Sequence, residues 1–145
     1  MDIKALLQRT ELFCGLEDAD LEEVAALCTE RVFKRGDVLT RQGAPGAALF
    51  IIAEGLVEVL VRSQAAQQAV VNLGVGQIIG EMSFVDRGFH SATVQALQTP
   101  TVAYAIQHDD FRALCEENNR IGYRVLLNLA ADLSFKLRQR HWSGG

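Results

Sequence analysis

The sequence predicts a mainly β fold with flanking helices: an eight-stranded antiparallel β-roll, jelly-roll-like, with N-terminal helices ahead of it and two C-terminal helices behind. Three observations carry this. Residues 31–107 break into short runs rich in Val, Ile, Leu and Thr, with turn signals about every eight to twelve residues, which is the punctuation of a sandwich or barrel. The segments on either side instead repeat their apolar residues at helical spacing. No repeat of about 20–50 residues and no low-complexity tract interrupts the pattern, so residues 1–145 read as a single domain.

Residues 1–30 hold the N-terminal helices. A short helical pattern spans residues 2–9, and Leu12, Phe13 and Leu16 follow as apolar plugs. A second helix begins where Glu17, Asp18 and Asp20 place negative charge at the positive end of its dipole. Leu21, Val24, Ala25 and Cys28 recur along it, and it is expected to end near Cys28. Strands are then predicted at 31–34, 37–40, 48–53, 56–62, 68–73, 77–79, 91–97 and 101–107. Gly36-Asp37, Gln42-Gly43, Pro45-Gly46, Glu54-Gly55, Gly74, Gly76, Gly80 and Gly88 mark the turns. Val57, Val59 and Val61 alternate with Leu56, Glu58 and Leu60, the period of a strand with one wet position.

Residues 108–142 return to the helical period. Asp109 or Asp110 starts a helix through Phe111, Leu114 and Cys115, and Asn118-Asn119 interrupts it. In the last helix Tyr123, Leu126, Leu127, Ala130, Leu133 and Leu137 share one broad apolar face, with Arg124, Asp132, Lys136 and Arg138 elsewhere. That face needs a cover: the β-roll, a ligand, or the same helix of a second chain. Lys136, Arg138 and Arg140 are expected to complement the negative helix end, and Gly144-Gly145 to fray.

Composition narrows the function classes. With 145 residues, 49% of them hydrophobic, the chain is long enough to bury a core without disulfides or metal. Cys14, Cys28 and Cys115 are odd in number, widely spaced and without a secretory leader, so they read as buried thiols in a reducing cytoplasm. No apolar run approaches the ~20 residues that span a bilayer. The 18 acidic residues outnumber the 14 basic ones, so the broad positive footprint of nucleic-acid binding is missing. An enzyme is not expected: His90, His108 and His141 are scattered rather than clustered for a metal, the cysteines lack a neighbouring histidine, and no G-x-S-x-G elbow is present.

Local motifs then become recognisable. Leu12-Phe13 with Gly15-Leu16 is followed by Phe33-Lys34-Arg35-Gly36-Asp37-Val38-Leu39, Gln42-Gly43, Leu49-Phe50-Ile51-Ile52 and Glu54-Gly55-Leu56-Val57-Glu58-Val59. Gly80-Glu81-Met82-Ser83-Phe84 and Ser91-Ala92-Thr93-Val94-Gln95-Ala96 complete the series. In this order and spacing the chain resembles the cyclic-nucleotide-binding domain family, the catabolite-activator-protein-like effector domains, over about residues 5–140. The resemblance implies a phosphate-binding cassette at 80–93, with Gly80, Glu81, Met82, Ser83, His90, Ser91 and Ala92 around a cyclic nucleotide. Glu81 would accept from the ribose 2′-hydroxyl. Val71 and Leu73 would face the base, together with the last helix through Leu126, Leu127 and Ala130. The chemistry agrees, since a cyclic phosphate beside a hydroxyl asks for backbone donors, a guanidinium fork and a carboxylate.

One departure stands out. The family's phosphate-gripping arginine is replaced by His90 and the proline before it by Phe89, while Arg87, the one guanidinium of the segment, sits three residues early. Histidine offers two divergent donors at most and, with a usual pKa of ~6.5, is mostly neutral at cytoplasmic pH, so it does not copy the fork. Ser91 either reaches the phosphate or a guanine edge or merely opens a strand, and Ser83 and Thr93 carry the same ambiguity. Two readings stay open. In one the chain is a cytoplasmic regulatory domain that binds cyclic AMP or cyclic GMP weakly, needs no other cofactor and signals through its C-terminal helix. In the other the pocket is degenerate and the domain is an interaction or dimerisation module, with Leu126, Ala130, Leu133 and Leu137 as the seam. The helix-turn-helix common in the family has no room after Trp142, so direct operator binding is not expected.

Overall fold

The structure, a computed structural model, describes residues 2–64 and 66–142; the expected fraying of Gly144-Gly145 and the expected role of the Arg140 side chain lie outside what is described. Helix α1 (Ile3–Arg9) is capped by Asp2, whose carboxylate accepts from the Ala5 amide at 2.7 Å. A 3-10 turn at Glu11–Phe13 plugs Leu12 and Phe13 into the core, and helix α2 (Asp18–Ala25) follows. Asp20 closes the first turn of α2 by accepting from the Glu17 amide at 3.2 Å. The helix stops at Ala25, and two tight turns carry the chain on to Cys28.

All eight predicted strands are present: β1 (Thr29–Phe33), β2 (Val38–Thr40), β3 (Ala48–Glu54), β4 (Val57–Arg62), β5 (Gln67–Leu73), β6 (Ile78–Ile79), β7 (Thr93–Ala96) and β8 (Thr101–Gln107). They form two antiparallel four-stranded sheets, ordered β1-β8-β3-β6 and β2-β7-β4-β5. Strand β3 is buried on both faces, and its period of two sorts its side chains into two cores. Phe50 and Ile52 join Phe33, Val57, Val94 and Ala103 inside the roll. Leu49 and Ile51 point the other way, into a second cluster built with Leu6, Phe13, Val24, Phe111, Ile121 and Val125 from the helices. This double burial fixes where the helices sit on the roll.

Between β6 and β7 runs the short helix α3 (Glu81–Asp86), and after β8 come α4 (His108–Glu117) and α5 (Asn119–Trp142). Asn118 breaks the two as the sequence predicts, its carboxamide donating to Glu23 on α2 at 3.0 Å. Arg120, in the first turn of α5, donates to both carboxylate oxygens of Asp20, which is itself buried. Asn128 donates to the carbonyls of Leu12 and Cys14, both at 2.9 Å. The start of α5 is thereby fastened to α2 and to the N-terminal turn.

Two expectations need correction. The face of α5 that packs inward is Ile121, Val125 and Leu129, spaced by four, and not the broader stripe read from the sequence. Tyr123, Leu126 and Leu137 are 66%, 53% and 58% exposed, Leu127 and Ala130 are also exposed, and Leu133 is half-buried. Gly122 explains the choice: it lets this side of α5 approach α4 closely, since a Cβ there would lie 2.9 Å from the Cys115 carbonyl oxygen. Cys14 is exposed rather than buried, while Cys28 and Cys115 are half-buried and burial pushes both thiols up to about 11.

The Asp20–Arg120 pair generates a stability test. Hydrogen bonding from Arg120 holds the Asp20 carboxyl below its ordinary 3.8, so its contribution is present above pH 3.8 and is lost as pH falls through the lowered folded value. Asp20→Asn is expected to lower unfolding stability at pH 7 by about 2 kcal/mol. In urea titrations the gap between the two proteins should narrow steadily below about pH 4.

Candidate functional site

A cavity of about 600 Å³ opens between the sheets, α3, the N-terminal turn and α5, within the range of small-ligand sites. All nine ligand-site residues named from the sequence lie on its wall. Gly80, Glu81, Met82 and Ser83 form one side and His90, Ser91 and Ala92 another, while Val71 and Leu73 make an apolar floor with Val59 and Val94.

Gly80 sets the geometry of the first side. It stands at φ +89° before α3, and a Cβ there would lie 2.5 Å from the Ala48 carbonyl oxygen, so only glycine fits. Its own carbonyl accepts from the Ser83 hydroxyl at 3.2 Å, the Phe84 amide at 3.3 Å and His108 Nε2 at 3.1 Å. A carbonyl only accepts, so Nε2 of His108 carries the proton. Ser83 is buried and already committed to this bond, and the Thr93 hydroxyl accepts from the Gln42 amide at 3.0 Å. Of the three hydroxyls singled out, only that of Ser91 stands exposed on the cavity wall.

Glu81 is the chemically unusual group. Its Oε2 is buried without any hydrogen-bond partner among the described residues. Burial pushes its carboxyl above the ordinary 4.5; its own backbone amide and then Lys136 oppose this, and Asp132 adds to it. A buried acceptor left without a donor costs about 1–3 kcal/mol, so this site is built at the expense of the empty fold's stability.

His90 is half-buried, its amide donating to Ala44 O at 2.8 Å and its carbonyl accepting from the Gly43 amide at 2.9 Å. Burial pushes the imidazole below 6.5, so at neutral pH it presents one neutral donor and one acceptor. Arg87 ends α3 at φ +56°, exposed and off the cavity wall, with Asp86 Oδ1 accepting from the Gly88 amide at 2.8 Å just after it. The loop is not re-routed to bring Arg87 inward. The cassette end therefore carries no guanidinium.

The sequence reading missed the opposite end. Asp132 and Lys136 of α5 face the cavity, paired at 2.9 Å, and Arg9 lines it from the end of α1, near Gly76. Leu126, Leu127 and Ala130, expected there, do not line it, because they lie on the other side of the helix. The signal was available. Asp132 and Lys136 stand three and seven residues after Leu129, so they continue the stripe Ile121, Val125, Leu129. The stripe turns from apolar to charged where α5 passes from the helical core over the cavity. Lys136 is thus engaged with Asp132 rather than only with the helix end. Nothing in local sequence pointed to Arg9, which the fold of α1 brings in.

Among the described residues no three His, Cys, Asp or Glu side chains converge as metal ligands, and no helix is long and apolar enough to cross a membrane. The arrangement offers a carboxylate awaiting a donor, a neutral imidazole, an apolar floor and two cations at the far end.

Known proteins share this architecture. The N-terminal domain of a transcriptional regulator from Streptomyces coelicolor superposes with a TM-score of 0.81 at 29% identity, covering 90% of this chain and 94% of that one. The catabolite activator protein of Thermus thermophilus gives 0.80 at 30% identity, over 92% of this chain and 61% of that one. By sequence, the cGMP-dependent protein kinase of Eimeria tenella is 33% identical over 127 residues, which is 87% of this chain but 12% of the kinase. This chain thus spans a small part of that kinase. The profile of the cyclic nucleotide-binding domain matches residues 30–118, more than half of the chain and the whole of the β-roll after Thr29, and the chain belongs to the cyclic nucleotide-binding domain family.

Proposed function

We propose that this regulatory domain binds cyclic AMP or cyclic GMP weakly, between Gly80-Glu81, His90-Ser91 and the apolar floor, and signals through α5. The observation that carries the reading is the orphaned Glu81 Oε2. An ionised carboxylate held in a buried wall is a cost that a ribose hydroxyl, donating into it, would remove. The residues fit such a ligand otherwise: Val59, Val71, Leu73 and Val94 supply a surface for the base, and Asp132 and Lys136 place charge on the helix that would close over it. Weakness follows from His90. One charge-assisted hydrogen bond contributes about 1.5–3 kcal/mol, so the missing fork lowers affinity roughly ten- to hundred-fold.

A second reading, an interaction or dimerisation module with a silent pocket, draws on two observations. His90 is neutral where the phosphate needs charge, and the face of α5 bearing Tyr123, Leu126 and Leu137 is uncovered. In the first reading that same face is the output, joined to a second copy of the chain or to a protein partner.

Isothermal titration with cyclic AMP and cyclic GMP separates the two, through three expected outcomes. His90→Arg should bind about ten- to hundred-fold more tightly than wild type. An anion beside His90 favours the imidazolium, so wild-type affinity should rise as pH falls from 8 to 6 and keep rising until the lowered titration of the free imidazole is passed, while His90→Arg stays flat between pH 6 and 8. Glu81→Gln should weaken binding about ten-fold yet stabilise the ligand-free protein by about 1 kcal/mol at pH 7. Because the Glu81 pKa is raised, that gain should vanish below about pH 4.5. Silence from wild type, with binding in His90→Arg, would mean an intact pocket that has lost its anchor and would leave the interaction-module reading standing. Sedimentation of Leu126→Asp/Leu137→Asp then tests the seam, a shift from dimer to monomer being expected.

A further inference from the structure

We propose that His108 and Arg112 are positioning residues that fasten the cassette helix α3 to α4 at two carbonyls, those of Gly80 and Phe84, and so carry movement of the cassette into α5. The geometry is specific. His108 opens α4 and its Nε2 donates to Gly80 O at 3.1 Å. One turn later Arg112 Nη2 donates to Phe84 O at 2.9 Å. Residues i and i+4 of one helix face thus grip carbonyls i and i+4 of another, with Phe84 between them. The Arg112 guanidinium lies 5.0 Å from the centroid of the Phe84 ring, the His108 ring stands edge-on to it at 5.5 Å, and Phe111 packs at 5.2 Å. Asp109, nearly fully exposed, holds the other side of the guanidinium at 3.2 Å.

Movement of α4 reaches α5 because the two are closely packed at Gly122 and Cys115, and Arg120 ties the same elbow to Asp20. The guanidinium gives the Phe84 carbonyl, in the last turn of α3, the donor that a helix end lacks. Ser83 and Phe84 already satisfy Gly80 O, so the imidazole is a supplementary hold on the cassette rather than a rescue of an orphaned group.

The transmission half of this inference rests on the ligand reading above; the fastening half does not. Hydrogen exchange on the full chain tests both. Without nucleotide, Arg112→Met, which keeps the stem and removes the donors, should speed exchange of the Phe84, Val85 and Asp86 amides about ten-fold, as expected on losing a charge-assisted bond. The β3 and β8 amides should stay at wild-type protection, which excludes global unfolding. His108→Leu should act in the same direction, while Arg112→Lys and His108→Gln, each retaining a donor, should return exchange to within about three-fold of wild type. With cyclic AMP or cyclic GMP added, wild type should change its α5 protection and Arg112→Met should bind without that change. Cassette amides that exchange in Arg112→Met as in wild type would overturn the fastening. An α5 response that persists in the double variant His108→Leu/Arg112→Met would overturn the transmission. If wild type takes up neither nucleotide, the ligand reading and the transmission fall together, and the ligand-free comparison alone decides the fastening.

Discussion

The left-handed turn at Gly80 is the constraint on which the functional half of the molecule depends. Strand β6 ends there against β3, close enough that a side chain would meet the Ala48 carbonyl, and α3 begins at once. With no room to relax, the backbone holds the Glu81 carboxylate in the cavity wall and presents the Gly80 carbonyl to the helical side. One residue thus faces two audiences, the cavity on one side and α4 on the other. Glycine is required there by steric contact as well as by its φ.

The cavity is assembled from parts that do not favour the folded state equally. Its floor of valines and leucine continues the roll's apolar core and stabilises the fold in the ordinary way. Glu81 opposes it, because burial disfavours the charge and no donor among the described residues meets Oε2. The Asp20–Arg120 pair shows the contrast within the same chain: there a buried carboxylate has two donors, and its pKa moves down rather than up. The two acids shift in opposite directions, one in a structural pair and one in the proposed binding site, and the donors that meet Asp20 and not Glu81 Oε2 among the described residues separate them.

Much of this was legible in the sequence, and the failures have physical causes. The strands were readable because β-branched residues and turn glycines alternate over short distances, and each local signal agrees with the fold. The cassette was readable as an ordered run, Gly80 to Ser83 and then Ser91 to Ala92. The inward face of α5 was not, since that helix carries two apolar stripes and the richer one, with Tyr123, Leu126 and Leu137, faces solvent. A count of apolar residues ranks stripes by hydrophobicity, whereas packing against α4 selected the one that contains Gly122. By sequence His108 is one of three scattered histidines, yet its partner is a backbone carbonyl 28 residues away, a contact that leaves no trace in local pattern.

The substitution at His90 changes how the remaining charges of the cavity matter. With an arginine at the cassette end, the phosphate would be the dominant electrostatic anchor and the far end would add little. With a neutral imidazole there, the formal cations that face the cavity among the described residues, Arg9 and Lys136, are both at the α1–α5 end, and Lys136 is shared with Asp132. An anionic ligand then gains its longer-range attraction from the α1–α5 end, from Arg9 and from a Lys136 that Asp132 partly neutralises, rather than from the cassette. Coulombic attraction falls with distance and is weakened by solvent, so the closure of α5 proposed above would strengthen it. In the proposed ligand reading, weak intrinsic affinity and dependence on helix closure are therefore two results of one replacement. Binding energy that appears only in the closed position is the differential interaction that a regulatory domain requires.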